Sequence, residues 1–423
     1  MAITIQDQPT TTIPEPSFAP IQYLASSSNS TESGFKVIAS IFVDPSGANT
    51  KVSTMQLNTI PNATQVIASI QNIVQSFVSS SYSVLVGNTT GVAQSALESF
   101  KVTFQEYYGG ALQGSAVDSN IFTSWNSSPK YIEYANLSDD TKEYWSWSIE
   151  NKYTASTSVG VKTFLNGFGQ ADKWFGFTKA DNFLKLRATQ KYQASWLLRS
   201  GVADTTQVWL KTFDSSLNAL QTVNLSTSNA AGLYTLDVGA AELASHSWST
   251  AVSMTGVAYY VLAIYSVEDD SFLTKSLLFE IEDCSLDYTD YELHWLNRYG
   301  AYDSYTFTGK SNQTTSIKKT FAKYDTKTIS GTSIKNNTYA QRKRAFNTAL
   351  KDDYKLNSRL IRDFEVEGLE DLFSSPEVYW KNSDNFVSVN VVGNTYEHAK
   401  SENGKVYSLA VQMEIDNSDT RQW

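Results

Sequence analysis

Near the end of the chain, Tyr407, Leu409, Val411, Met413 and Ile415 alternate with smaller or polar residues. A period of two is that of a strand with one face buried and one face wet. Similar short runs recur along the sequence, among them "QASWLLRSG", "TTQVWLKTFD", "LYTLDVG", "KSLLFEIED" and "FVSVNVV". Between them lie stretches such as "ASSSNSTES" (25–33) and "NLSTSNAAG" (224–232), rich in residues that suit turns. The Asn403-Gly404 pair ahead of the last strand favours a tight hairpin. The expected fold is therefore mainly β: several β-sandwich-like domains with a few short α-helices. Composition agrees, since aromatics make up 13% of the chain and charged residues only 18%.

At 423 residues the chain has room for two or three domains. Residues 1–25 hold Pro9, Pro14, Pro16 and Pro20, four of the eight prolines, and predict an extended Pro-rich arm. Phe18 and Tyr23 give that arm rings with which to dock on a neighbour; a flexible tail is the alternative. Residues 26–120 predict a β domain with one amphipathic helix over 62–79. There Val66, Ile67, Ile70, Ile73, Val74, Phe77 and Val78 share a face at helical spacing, with Asn62 as N-cap. Residues 121–285 predict a β-sandwich domain. Residues 286–423 predict a C-terminal β domain containing a short acidic helix, "VEGLEDLFSS".

Charge is divided unevenly. The chain carries a net charge of -10, yet residues 310–362 hold thirteen Lys or Arg against three Asp. That segment is +10 and the remainder is -20. Such asymmetry points to an acidic partner, either nucleic acid or the acidic remainder of a neighbouring copy. A solvated ribbon without a partner is the plain alternative. Lys318, Lys319, Arg342, Lys343 and Arg344 are the interface candidates here. A second set is aromatic: Trp125, Tyr131, Tyr144, Trp145 and Trp147. These rings fit core or interface packing, and an exposed array of them would fit a sugar-binding platform.

Motifs for chemistry are missing. The three His have no metal-ligand spacing, and Cys284, the one cysteine, excludes an internal disulfide and a Cys-based zinc cluster. No G-x-S-x-G elbow is present. Gly309-Lys310-Ser311 matches the tail of a phosphate loop, but Ser304 stands where its first glycine is required. The carboxylate groups Asp139-Asp140, Asp269-Asp270, Asp287/Asp290/Glu292 and Glu365/Glu367 read as surface acids. We expect no catalytic, cofactor or metal site and no enzyme. The start "MAITIQDQPTT" lacks the features of a signal peptide. The longest apolar run, "VAYYVLAIY" (257–265), is far shorter than the roughly 20 residues of a membrane span. Synthesis in the cytoplasm and no membrane contact are therefore expected.

One segment goes further. "LHWLNRYGAYDSYTFTGK" (293–310) resembles a segment of large virion structural proteins of tailed phages that infect Bacteroidota, including crAss-like phages. That family pairs an apolar-Leu-Asn-Arg-aromatic-Gly core with an aromatic, an Asp and a Tyr/Phe-x-Phe strand. "MAITIQDQP", the 64–79 stretch, "GLEDLFSSPEVYW" (368–380) and the closing "YSLAVQMEIDNSDTRQ" resemble other parts of it more loosely. The resemblance implies a virion component of the tail or baseplate region rather than the capsid shell, and it brings no catalytic residues. We expect a tail, neck or baseplate component, assembled in the host cytoplasm beside other virion proteins, whose copies join into a homo-oligomeric ring through sheet faces, aromatic patches and the basic segment. A receptor- or carbohydrate-binding virion module and a capsid-attached decoration protein are the alternatives, and a genome contact would run through the basic segment. Within the motif, Leu293, Trp295 and Tyr299 are expected to anchor a strand. Gly300 is expected to allow the turn, Tyr305 and Phe307 to continue on the returning strand, and Arg298 to pair with Asp303 across the turn.

Overall fold

The computed structural model describes residues 3–9, 15–18, 20–61, 63–78, 93–95, 97–128, 164–168, 170–171, 174, 176–198, 205–227, 232–268, 270–282, 288–325, 327–336, 342–383, 385–392, 407–415 and 420–422. The fold is mainly β, built from multiple, largely antiparallel sheets in a β-sandwich-like arrangement. Three short helices, Gln71–Gln75, Ala240–Leu243 and Asp363–Ser374, complete the described elements. The chain forms two compact units. One comprises 1–283, 296–304 and 367–371; the other comprises 284–295, 305–366 and 372–423.

In the first unit, a three-stranded sheet orders Ile3–Asp7, Gln22–Ser27 and Gln65–Ser69 side by side. A second sheet is centred on Lys36–Val43 and Glu98–Tyr108. Their inward residues, among them Tyr23, Val37, Ile41, Val66, Phe100 and Phe104, form one buried cluster. Strict alternation on Lys36–Val43 puts Val37, Ala39 and Ile41 inside, which is what its sequence pattern demands. Farther along, a seven-stranded sheet is built around Thr206–Phe213 and Tyr259–Ser266, paired antiparallel over eight residues. A three-stranded sheet adds Gln193–Leu198, Gly232–Asp237 and Ala93–Ser95.

Two expectations need correction here. Residues 62–79 do not form one helix: Gln65–Ser69 is a strand, and only Gln71–Gln75 is helical. Val66, Ala68 and Ile70 are buried while Ile67 is exposed, so the period is two up to Ile70. β-Branched Val66 and Ile67 suit that conformation, and the pairing with Gln22–Ser27 decides it. The described residues of the Pro-rich lead are likewise built into the unit rather than extending from it. Ile3–Asp7 pairs with Gln22–Ser27, and Tyr23 is fully buried against Phe104 and Phe122. Phe18 stays exposed, while its backbone N–H donates to Ser127 O.

The second unit is organised by an eight-stranded sheet. From one side its order runs Tyr302–Phe307, Tyr291–Leu296, Val378–Asn382, Asn385–Val391, Tyr407–Ile415, Lys343–Ile361 and Asn312–Lys323; Thr420–Gln422 also pairs with Lys343–Ile361. Buried Leu356, Val411 and Met413 line one face, because Leu356 pairs with Val411 and Met413 with Tyr354. At the start of Asp363–Ser374, Glu365 carboxylate accepts from Arg362 N at 2.9 Å, satisfying a first-turn donor. The same carboxylate pairs with Arg359, whose Nη1 donates to Tyr305 OH at 3.1 Å.

Candidate interaction surface

The basic segment is a ribbon. Asn312–Lys323 and the nineteen-residue strand Lys343–Ile361 pair antiparallel over the whole length of the shorter strand. Beyond them, Lys327–Ser330 and Ser333–Asn336 form a small hairpin whose turn contains Gly331 at φ +64°. Tyr324 N donates to Arg342 O at 2.9 Å, so the pairing reaches past the ends of the long strands. Along Asn312–Lys323 every residue except Ala322 is exposed, on both faces alike. On the partner strand, burial alternates only from Tyr354 onward; Lys343–Leu350 lacks a buried residue. The two faces of a sheet usually differ because one is covered. Here neither is.

The charges follow the same division. Two of the segment's three acids sit at the base: Asp352 accepts from Thr315 Oγ1, and Asp353 lies 3.4 Å from Lys351, which also meets Glu414. The Glu414 and Asp353 carboxylates hold the Lys351 ammonium above its ordinary pKa. Farther out, residues 312–350 hold eight basic residues and one acid, Asp325. Lys318, Lys319, Lys343 and Arg344 are exposed and form no ion pair among the described residues. Lys323 is the direct cross-strand partner of Lys343, an arrangement in which like charges oppose pairing. The chain tolerates that cost at the outer end of the ribbon; among the described residues, the ion pairs of the two long strands lie toward its base.

Apolar residues share the exposed ribbon. Ile317 is 59% exposed, Phe321 54%, Ile329 82% and Ile334 69%. Ile329 faces Ile334 directly across the tip hairpin. In the sequence the excess of Lys and Arg masks these residues, and Ile317, Ile329 and Ile334 carry no signal of their exposure.

The other candidates are dispersed. Trp125 is buried; its indole Nε1 donates to Tyr299 O at 2.9 Å, and it packs with Leu165, Leu197 and Ala301. It belongs to the core of the first unit and to no exposed platform, because its ring is the wall behind Gly300. Tyr131, Tyr144, Trp145 and Trp147 lie outside the described residues. So do Asp139, Asp140, Asp269, Asp287 and Cys284.

The motif at 293–310 is scaffold. Leu293 and Trp295 are fully buried, as are Tyr305 and Phe307 on the returning strand. Gly300 takes φ +85°, and a Cβ there would stand 2.1 Å from Asn126 O. Arg298 does not pair with Asp303. Its guanidinium lies 3.6 Å from Asp371 and 3.8 Å from Glu370, and it covers the half-buried Tyr299 ring. Asp303 is instead fully buried and accepts from Asn297 Nδ2, Asn166 Nδ2, Gly167 N and Tyr192 OH. Burial raises its pKa against the pull of those four donors. Gly309, in the phosphate-loop-like tail, donates its N–H to Asn357 O, and a Cβ there would strike the Asn357 and Ser358 carbonyls. Its amide is therefore committed to the sheet. His294 is packed on Phe386 with Nε2 against Glu292, whose other oxygen meets Lys381. Among the described residues, no group of three or more His, Cys, Asp or Glu is placed to hold a metal ion, and no helix is long and apolar enough to cross a membrane.

No protein-family model matches the chain, and no curated protein matches it in sequence.

Proposed function

We propose that this chain is a non-enzymatic structural protein of a tailed-phage virion, a tail, neck or baseplate component that forms a homo-oligomeric ring. The carrying observation is the ribbon: an outer strand exposed on both faces, cations at the outer end without an ion pair among the described residues, and exposed Ile and Phe along it. Beyond its base the ribbon meets a third strand only at Asn347–Ala349 among the described residues and buries little of its own apolar surface, and exposed apolar residues in register mark a surface made for another surface. The resemblance of residues 293–310 supplies the setting, and the -20 carried outside residues 310–362 supplies an acidic counterpart in every neighbouring copy. Head-to-tail contacts repeated around an axis close a ring.

Two measurements test the proposal. Negative-stain electron microscopy of the purified chain should show closed rings of uniform diameter. Gold-labelled antibody against the chain should mark the tail end of virions that contain it. Label confined to the capsid shell would replace the tail assignment with the decoration reading. A particle-free, solitary chain that binds host polysaccharide would replace it with the receptor-binding one.

A further inference from the structure

The two faces of the ribbon are not equivalent. Cross-strand partners share a face, and so do alternate residues of one strand. Ile317 pairs with Leu350 and Lys319 with Thr348, and Phe321 follows them at alternate spacing on the outer strand, where a β-bulge beside Thr320 brings Ala345 opposite it. The opposite face pairs Lys318 with Ala349, Thr320 with Asn347 and Ala322 with Arg344. The first face therefore sets Ile317, Leu350, Phe321 and Ala345 around a central Lys319 and Thr348, and the second presents Lys318, Thr320, Asn347 and Arg344 with two alanines and no large apolar side chain among these pairs. Toward the base the same face as Ile317 carries the hydrogen-bonded Thr315 and Asp352 before apolar residues resume. Gln313 pairs with Tyr354, which places Tyr354 on the same face, and its ring stands 5.9 Å from Tyr291 and 5.6 Å from Trp380. Tyr291 and Trp380 are themselves only half-buried.

We propose that the ribbon docks by its Ile317–Phe321 face onto the acidic remainder of a second copy of this chain, so that every contact is ribbon to remainder and none is ribbon to ribbon. This rests on the assembly reading above and adds the face and the symmetry of the contact. Charge selects the partner. Residues 312–350 hold eight basic residues and one acid, so two ribbons laid together repel, whereas the remainder outside 310–362 carries -20. The face carries the adhesion, since desolvated Ile and Phe side chains form the centre of protein–protein contacts and charges their rim. A duplex would take the lysines and leave the Ile317–Phe321 stripe wet. Edge-on strand addition is also disfavoured, because Lys318, Lys319 and Lys323 guard the outer strand. Ribbon-to-remainder contact uses two different surfaces on each copy, so it propagates and closes only as a ring or continues as a filament.

The test uses the full chain in three forms: wild type, I317S/F321S on the stripe, and T320A/N347S on the opposite face. Mass photometry over a concentration series gives the half-assembly concentration of each. The wild type should assemble, T320A/N347S should match it within twofold, and I317S/F321S should need at least tenfold more protein. Mixed with wild type, I317S/F321S should still be captured, because its acidic surfaces are intact, and should shorten the assemblies as a terminating subunit. If I317S/F321S assembles like wild type, the face is wrong. If it is not captured by wild type, the contact is ribbon to ribbon. If a 30-base-pair duplex is bound with the same loss on I317S/F321S, the partner is nucleic acid; each result overturns the proposal while leaving ring formation standing. A wild type that stays monomeric at every concentration overturns ring formation itself.

Discussion

Asn297 and Asp303 hold each other across the turn of the 293–310 motif: Asn297 Nδ2 donates to Asp303 Oδ2 at 2.7 Å. Asn297 Oδ1 accepts from both Tyr299 N and Ala301 N at 3.0 Å, so one side chain organises the turn while its amide nitrogen serves the buried carboxylate. Asn297 Nδ2 also donates to Leu165 O, and Asn166 adds a further donor to Asp303. The motif's Asn and Asp are thus a polar knot, which explains their spacing without any ligand.

Replacing Asn297 with Ala removes two acceptor and two donor contacts in a buried site. The expected loss is about 3 kcal/mol or more, since each buried group left without a partner costs about 1–3 kcal/mol. Asn297→Asp should cost more still, because it sets a second carboxylate beside buried Asp303. Urea unfolding of the purified variants checks both; a loss below 1 kcal/mol for Asn297→Ala would remove the knot from the account.

Gly300→Ala meets two obstacles at once: a φ of +85° and a carbonyl oxygen 2.1 Å from the new Cβ. A strained left-handed residue alone costs about 1–3 kcal/mol, and the close contact adds to it. The variant should melt several degrees lower, and Gly331→Ala, which has φ +64° but open space around its Cβ, should melt less far below wild type.

Asp237 gives the fold a pH dependence. Burial pushes its pKa up from 3.8 to about 6, against the hydrogen bond that it accepts from Gln193 Nε2. A carboxyl with a raised folded pKa keeps its proton in the native state while the unfolded chain releases it. Stability contributed by that proton is complete below about pH 4 and is lost as pH rises through about 6. At roughly 1.4 kcal/mol per unit, the loss amounts to about 3 kcal/mol. Asp237→Asn keeps the acceptor for Gln193 and should flatten the fall between pH 4 and 6. Unchanged pH dependence in that variant would assign the effect to another group.

Ribbon substitutions should leave the fold alone. Ile317 and Phe321 are more than half exposed, so I317S/F321S should stay within about 0.5 kcal/mol per site of wild type in unfolding experiments. A larger loss would mean that the stripe packs within its own chain.

Strand content was legible because period-two patterns such as Lys36–Val43 and Tyr407–Ile415 need only one covered face to decide them. The stretch 62–79 misled because Val66, Ile70 and Val74 satisfy both periods over so short a run, and the pairing with Gln22–Ser27 that resolves it is about forty residues away. The lead at 1–25 misled for a related reason: its prolines are visible in sequence, while the partner of Ile3–Asp7 is not. At the candidate surface, the excess of Lys and Arg could be counted directly. That both faces of Asn312–Lys323 are bare could not, since exposure depends on which elements fail to arrive. Arg298 and Asp303 looked like an ion pair because charge is legible and burial is not; buried Asp303 takes neutral donors, and Arg298 turns to Asp371.

The central claim is that this chain acts by joining other copies of itself through an electrostatically attracted ribbon. Sedimentation velocity of the purified wild type at 50 mM and 500 mM salt tests it most directly. The account predicts one large, discrete species at low salt that dissociates toward the 47.0 kDa chain as salt screens the charges. A single 47.0 kDa species at both salt concentrations, up to the highest protein concentration reached, would contradict it.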